Sequence, residues 1–510
     1  MYIEDTSEIF TIFFTHILLP LLSFFIIRCV ISSRKKLPLP PGPFPWPIIG
    51  HLFYLGNKPH VSLAKLANVH GPHLMSIRLG GRLVIVASSP MATAEVLKTH
   101  DRLLSGRFVS HPMRVEGSYI RNLATETLEE CDENWKKVRS MYQIVLFSHK
   151  AVESQVNIRE KKVMELVKFV ASKEGELVNI KGIAFVTILN ILSNSTISND
   201  LVDFEGKGIG EGMREWIRNY TKLEGVPQLA DLFPILDGCT WDFQGTYKKL
   251  KDTFERISDV WRDIINKKRM EISNKYYEGE DFADALIRNG FEDKQINALL
   301  MELYSAGTET TITTVEWTLV ELLKNPEAMK RLRNEIKKEL TTIDDREIMI
   351  VKDSNLPNLP YLEACMKETL RLHPPAPLLF PHRAVQTCEV MGYRIPQDTQ
   401  IIVNVWKMAR DSEYWNDDPW SFKPDRFLDS STDYKGHDFE FIPFGSGRRI
   451  CAGQSLALRM LPMIVGSLVH NFELILPNNM NPMEMNMDDI IDVTMAKKDP
   501  LFIIPKIRNS

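Results

Sequence analysis

The sequence predicts a mainly α protein with small β-sheets, folded as one large domain behind an N-terminal membrane helix. Three observations lead there. Helical text dominates from about Met91 to Leu372. Strand-like text is confined to Ser76–Ser88, to residues 392–405 and to short pieces of residues 470–507. Ile9 to Ile27 is almost wholly apolar, close to the roughly 20 residues that a membrane-spanning helix needs.

The N-terminal segment is read as an anchor because of its flanks. Glu4, Asp5 and Glu8 precede it, and Arg28, Arg34, Lys35 and Lys36 follow. Positive charge stays on the cytosolic side, so the N-terminus is expected in the lumen and the rest in the cytosol. A cleaved secretory peptide fits worse, since the basic residues lie on the wrong side and no small-residue cleavage site follows. Pro20 does not forbid spanning. Next comes LPLPPGPFPWPIIG, Leu37 to Gly50, whose six prolines keep the chain stiff and extended. A floppy linker would use Gly and Ser instead. The expected division is an anchor over residues 1–31, a basic and proline-rich hinge over 32–59, and a globular domain over 60–510.

Beyond the hinge, SIRLGGRLVIVAS (Ser76 to Ser88) alternates and is β-branched, which reads as a hairpin turned at Gly80–Gly81. A chain of 510 residues suggests about three domains by length alone. No composition break inside residues 60–510 supports a split, and neither repeats nor low-complexity runs occur. The net charge of −4 argues against nucleic acid as a partner. The six cysteines form no C-x-x-C pair, so zinc and dithiol redox readings are weak, and reduced cytosolic thiols fit better. Gly206 to Gly212 (GKGIGEG) superficially resembles a nucleotide loop, but no strand precedes it, so it reads as a loop between helices. Asn194 and Asn219 sit in glycosylation patterns that a cytosolic topology leaves inert.

The chemistry is concentrated in FGSGRRICAG, Phe444 to Gly453. Cys451 stands in a glycine-punctuated loop behind two arginines and ahead of apolar helical text. Glycines let backbone pass close to a flat ligand. Positive charge and N–H donors favour the thiolate, the form that ligates a metal. A thiolate axial ligand on haem iron favours O–O cleavage. A buried structural cysteine near a turn is the competing reading.

Two further motifs accompany the loop. AGTETT, Ala306 to Thr311, lies in helical text and combines small residues with an acid and a hydroxyl. Glu309 and Thr310 are adjacent and do not share one helical face, so a local widening such as a π-bulge is expected to turn Thr310 toward a ligand. Oxygen cleavage consumes protons, which an acid–hydroxyl relay supplies. A Thr-rich helix with a solvated Glu is the alternative. In KETLRLHPP, Glu368 and Arg371 share a helical face, by default as a surface pair of little energetic weight.

Phe444, Gly447, Arg449, Cys451 and Gly453 resemble, position by position, the haem-ligand loop of the cytochrome P-450 family. Ala306 to Thr311 is similar to that family's oxygen-activating helix. Anchor, proline hinge, W-x-x-x-R pair, oxygen helix, E-x-x-R, FKPDRF and cysteine loop follow in the family's order over residues 30–505. The resemblance implies the cytochrome P-450 fold and heme b (iron protoporphyrin IX) with Cys451 as axial thiolate. It assigns Glu309 and Thr310 to proton delivery, and Trp135, Arg139, His382, Arg449 and Gly453 to cofactor binding. Arg383 is a possible substitute for His382. Glu368, Arg371 and Arg426 become a buried triad that holds the cysteine loop; Asp425 stands where the family more often has Glu.

The same resemblance implies O2 as co-substrate and NADPH-cytochrome reductase as electron donor, with Lys136, Lys137 and Arg448 as a candidate docking patch. A solvated face explains those three almost as well. PPGPFPWPIIGHL and LHPPAPLLFPHRA resemble the plant microsomal branch, implying the endoplasmic reticulum membrane, single-pass, with the catalytic domain on the cytosolic face. TCEVMGYRIP and DFEFIPFGSGRRICAG resemble enzymes of alkaloid metabolism, methylcoclaurine hydroxylase and littorine mutase among them. The expectation is hydroxylation or oxidative rearrangement of an alkaloid, with a littorine mutase-like tropane enzyme first. A benzylisoquinoline, terpenoid or phenylpropanoid hydroxylase is the alternative. A non-catalytic haem or electron-transfer protein is disfavoured by the intact Glu309–Thr310 pair. By family position the substrate pocket is expected around Val109–Ile120, Tyr304, Ala306, Ala376–Leu379 including Leu378, and Val493–Met495 including Thr494. Glu116 or Asp492 is a candidate partner for a substrate amine.

Overall fold

The computed structural model describes residues 37–111, 130–225, 227–236, 245–273, 279, 281–340, 348–416, 418–491 and 494–508. The expected membrane anchor, the start of the hinge, most of the Val109–Ile120 loop, Glu116, Asp492 and Val493 lie outside these residues.

The proline-rich leader lies along the first strand of the main sheet. The Ser76 amide donates to the Pro41 carbonyl at 2.8 Å and the Ser76 hydroxyl to the Pro40 carbonyl at 2.7 Å. Proline lacks an N–H, so this leader contributes acceptors, and the strand edge supplies the donors. Gly50 has φ of 63°, and a Cβ there would overlap the Arg78 carbonyl oxygen. A glycine is therefore required where the leader turns onto the sheet.

The strands are β1 Leu74–Leu79, β2 Arg82–Ala87, β3 Gly106–Arg107, β4 Val178–Asn179, β5 His382–Arg383, β6 Cys388–Val390, β7 Tyr393–Ile395, β8 Gln400–Val403, β9 Phe472–Ile475, β10 Asp489–Ile491, β11 Met495–Lys497 and β12 Phe502–Ile507. The main sheet has the order β1-β2-β8-β5-β3. β1 and β2 form the expected hairpin, with Leu79 opposite Arg82 across Gly80–Gly81. β2 and β8 run parallel; the other pairs of this sheet are antiparallel. The C-terminal strands divide between β10–β11 and the order β4-β12-β9. The remaining mass is helical, so the expected mainly α architecture with small sheets holds.

Helix Asp293–Lys324, 32 residues long, organises the helical core. It starts at Glu292, whose amide is accepted by the Gln295 side chain at 2.9 Å, which satisfies a donor the helix leaves orphaned. Helix Ile180–Ile197 packs along it. That helix has the length and hydropathy of a membrane span, yet 83% of it is buried in the core. The two approach closely at Gly307, where an added Cβ would press on Leu192 at 2.8 Å. Farther along, Trp317 is fully buried, stacks on His373 at 3.9 Å and donates its indole N–H to the Met495 carbonyl at 3.0 Å. That bond ties β11 to the helix and satisfies a polar atom that burial would otherwise penalise.

Helix Asp293–Lys324 is α-helical throughout. The π-bulge expected at Thr310 is absent, and the threonine hydroxyls bond back to carbonyls four residues earlier (Thr310 to Ala306 at 2.6 Å, Thr311 to Gly307 at 2.7 Å). π-Helical turns occur instead at Glu95–Thr99 and Gln143–Phe147. The GKGIGEG segment is a loop between helices Ile180–Ile197 and Met213–Gly225, as expected. Both asparagines of the glycosylation patterns lie inside helices, and Asn194 donates to the Asn190 carbonyl at 2.8 Å.

Candidate active site

Backbone geometry shapes the loop that presents Cys451. Gly445 and Gly447 have φ of 74° and 70°, which a side chain disfavours. At Gly447 a Cβ would also overlap the Leu97 carbonyl oxygen. The Cys451 amide donates to the Phe444 carbonyl at 2.9 Å and closes the loop just ahead of helix Gln454–Asn471. Cys451 is exposed, and the space it is exposed to is a cavity.

Three walls enclose that cavity. The first is the loop itself, with Phe444, Ala452 and Gly453, backed by Leu456 and Met460 of helix Gln454–Asn471. The second is one stripe of helix Asp293–Lys324, with Leu303, Ala306, Gly307, Thr310 and Thr314 at the i+3 and i+4 spacing of a single helical face. The third joins the two π-helical turns, through Leu97 and Phe147, to the end of the main sheet.

The sheet supplies positive charge. β3 pairs with β5 so that Arg107 stands opposite His382, and cross-strand partners project from the same face. Both line the cavity, and Arg449 joins them from the loop. Each is held by a carbonyl. Arg107 donates to Phe380 at 2.9 Å, and Arg449 donates to Ser105 at 3.0 Å. The imidazole Nδ1 of His382 bonds the Leu104 carbonyl at 2.8 Å, so Nδ1 carries the proton. Burial, with Arg107 and Arg449 beside it, pushes His382 down to about 3. His382 is thus neutral near pH 7 in this setting, and the charge of this edge comes from the two arginines.

Helix Pro360–Leu372 carries a buried ion pair. Arg371 is fully buried and grips both oxygens of Glu368, at 2.7 Å and 2.8 Å. Its remaining donors reach the carbonyls of Ala409, Pro419 and Ser421. Arg426 completes the triad at 3.0 Å from Glu368. Glu368 and Arg371 are thus buried, against the default expectation of a surface pair, and Arg426 meets Glu368 as the resemblance implies. Asp425 points outward and pairs with Arg331. On the other flank the Trp135 ring lies 5.4 Å from the Arg449 guanidinium, and Arg139 donates to the Ile450 carbonyl at 2.6 Å. Neither residue lines the cavity; both fix the backbone and side chain on either side of the loop.

Several expected site residues stand elsewhere. Tyr304 is fully buried and bonds Thr196 at 2.6 Å, facing helix Ile180–Ile197 and Trp261 instead of the cavity. Leu378 packs on the main sheet, and its neighbours Ala376 and Leu379 line the cavity. Leu379 has φ of 48°, and the chain turns there. Thr494 is buried against the Thr313 hydroxyl at 2.9 Å, one residue away from the lining stripe. Arg383 cannot replace His382. Successive strand residues alternate faces, and its guanidinium meets Asp398 at 2.6 Å. Ala306 is placed as expected. Thr310 reaches the cavity from a regular helix without any widening. Glu309, roughly 100° around the helix, faces the flank where its charge favours the Arg214 guanidinium. Arg107 and Glu302 are lining residues that sequence reasoning missed. No motif marked them; Arg107 becomes visible only through its pairing with His382.

A haem fits this donor set. A thiol faces a cavity, the helix opposite offers Ala306 and Gly307 where bulk would intrude, and two guanidiniums line it where carboxylate side arms need cations. The sequence profile of the family described as Cytochrome P-450 matches residues 40–503. A probable (S)-N-methylcoclaurine 3'-hydroxylase isozyme 2 from Coptis japonica is 46% identical over 96% of each chain. (S)-N-methylcoclaurine 3'-hydroxylase isozyme 1 from Papaver somniferum is 43% identical, over 94% of this chain and 96% of its own. Berbamunine synthase from Berberis stolonifera is 35% identical over the same shares. Fold, cysteine loop and similarity along nearly the whole length agree: the chain belongs to the cytochrome P-450 family and is a haem-thiolate monooxygenase.

Proposed function

We propose that the chain hydroxylates, or couples oxidatively, a benzylisoquinoline alkaloid. The observation that carries this reading is the 46% and 43% identity, over nearly full length, to relatives named for 3'-hydroxylation of (S)-N-methylcoclaurine. This replaces the tropane, littorine mutase-like expectation with its benzylisoquinoline alternative. The walls suit such a substrate, since Leu303, Ala306, Leu379 and Phe380 are apolar and Thr310, Thr311 and Thr314 add hydroxyls.

The cofactor, when bound at Cys451, supplies the oxygen activation. The protein supplies placement and protons. Thr310 holds its hydroxyl at the cavity face and donates at rest to the Ala306 carbonyl at 2.6 Å. A rotation about χ1 turns that proton toward the cavity. Glu309 sits on the half-exposed flank, on a different face from Thr310, and takes up a proton from solvent; a water between the two side chains would carry it to Thr310 Oγ1. Arg107 and Arg449 would hold the cofactor's carboxylates, with His382 as a neutral hydrogen-bond partner. The apolar walls exclude water from the reacting carbon.

The reading extends to residues 1–31 as a single-pass anchor in the endoplasmic reticulum membrane, residues 32–59 as its hinge, and residues 60–510 as a cytosolic catalytic domain. An exposed apolar face supports it. Phe44, Trp46 and Ile48 on the leader, Phe53 on the short helix Leu52–Leu55 that follows it, and Ile235 on the segment near 232 are all more than half exposed. Both stretches bond to the β1–β2 turn, Gly80 donating to Ile49 at 3.1 Å and Gly81 to Leu232 at 2.8 Å. Such a patch suits contact with a bilayer surface. Lys136, Lys137 and Arg448 are exposed beside the cysteine loop and offer an acidic reductase a docking surface.

The test is to supply (S)-N-methylcoclaurine and littorine side by side to microsomes holding the chain and NADPH-cytochrome reductase. The reading expects an oxygenated or coupled product from the first substrate. Conversion of littorine alone, by rearrangement, contradicts it.

A further inference from the structure

We propose that Asp489 is a positioning residue for the substrate, acting through a clasp with Lys58 and His60 that sets where one cavity wall stands. The wall is the segment from Pro375 to Leu379, of which Pro375, Ala376 and Leu379 line the cavity. Pro375 and Pro377 have no N–H to give. The segment is gripped from outside by their carbonyls instead. Met495 of β11 donates its amide to Pro375 at 3.0 Å, and Trp406 donates its amide to Pro377 at 3.1 Å. Ala376 is carried between those two supports.

Both supports lead back to one carboxylate. β11 pairs with β10, where Asp489 stands opposite Lys497 and Ile491 opposite Met495. Trp406 lies in the short helix Val405–Met408, and the His60 imidazole meets its ring edge-on at 5.1 Å. The Asn404 side chain donates to the His60 carbonyl at 3.0 Å. His60 Nε2 lies 3.3 Å from Asp489 Oδ2, and Lys58 Nζ meets Oδ1. Lys58 and His60 stand where the proline-rich leader passes into helix Pro59–His70. Exposed ion pairs contribute little. This one differs, because the His60 side chain is fully buried and that of Asp489 is 15% exposed. The attraction therefore acts at a lower dielectric than in water. Burial by itself would raise the Asp489 carboxyl; His60 and Lys58 hold it below the usual carboxylate range, so it is charged at neutral pH. Removing that charge loosens β10 from helix Pro59–His70, and the two supports of Ala376 no longer share an anchor.

The test uses the haem-loaded full chain and two azole probes that ligate haem iron. Imidazole asks for little beyond the iron; 4-phenylimidazole also needs the walls. Asp489→Asn and Lys58→Met should each bind 4-phenylimidazole about 3- to 10-fold more weakly, read from the haem absorption, and imidazole within about twofold of wild type. Asp489→Glu should recover part of the loss. The double variant should bind no more weakly than Asp489→Asn alone, because both substitutions open one clasp. Lys58 is partly exposed, so its variant decides the matter where Asp489→Asn fails to fold. Wild-type affinity for 4-phenylimidazole in Lys58→Met, or equal weakening of both probes, overturns the inference. Neither result touches the alkaloid reading, since neither probe is an alkaloid.

Discussion

The two faces of the cavity are built on opposite plans. On the cysteine side nearly every side chain is committed. Arg449 in the wall, and Arg139, Arg371 and Arg426 outside it, each spend guanidinium donors on a named carboxylate or carbonyl. On the helical side the wall is made of what is missing: Ala306, Gly307 and small threonines whose hydroxyls bond their own helix. A committed face holds one geometry for a metal ligand. An uncommitted face leaves room for oxygen and for substrates that differ between relatives. Substitutions should therefore break the two faces in different ways.

The largest effect belongs to the committed face. Glu368→Ala strands the buried guanidinium of Arg371 and releases the half-buried one of Arg426, at a cost of about 3–5 kcal/mol. It should yield little haem-loaded protein, as read by the ratio of haem to protein absorbance. Gly447→Ala comes next, since its φ of 70° costs about 1–3 kcal/mol for a residue with a Cβ and the Leu97 carbonyl must also move. Its melting temperature should fall, with cofactor content reduced but not abolished. If either variant loads and melts like wild type, the two faces do not differ in the way described.

The uncommitted face should respond in chemistry more than in stability. Thr310→Ala removes one hydroxyl bond worth about 1 kcal/mol. It should keep its cofactor and its melting temperature while diverting NADPH electrons to hydrogen peroxide, measured as product formed per NADPH consumed. Full coupling would contradict the relay. Tyr304→Phe should be the mildest. It loses the bond to Thr196, about 1 kcal/mol of stability, and leaves substrate affinity unchanged. A clear loss of affinity would return Tyr304 to the pocket.

The same contrast explains what could be read from the sequence. The committed face was legible because its geometry needs particular residues at fixed spacing. A left-handed turn calls for Gly447 and a sulfur ligand calls for Cys451, whereas the spacing of Glu368 and Arg371 suggested only a surface pair and their buried grip came from the family resemblance. The hairpin at Gly80–Gly81 was legible for a similar reason. The uncommitted face was not, because its positions are defined by direction. Tyr304 and Glu302 are two residues apart on one helix, and a rotation of about 200° separates the core from the cavity. Leu378 and Leu379 are separated by a turn, and His382 and Arg383 by the alternation of a strand. Arg107 was hidden because its partner lies far off in sequence and only β3–β5 pairing unites them. The π-bulge was expected from a correct premise, that Glu309 and Thr310 cannot share a face. The structure resolves it by letting them face different ways.

The central claim is that the sulfur of Cys451 is the axial ligand of the haem. The direct measurement is the absorption spectrum of the purified, haem-loaded chain after reduction under carbon monoxide, beside that of Cys451→Ser. Wild type should absorb at the long-wavelength position that a thiolate ligand imposes, and the variant should lose that band. A wild-type spectrum of the histidine-ligated kind, or a band that survives in the variant, would contradict the claim.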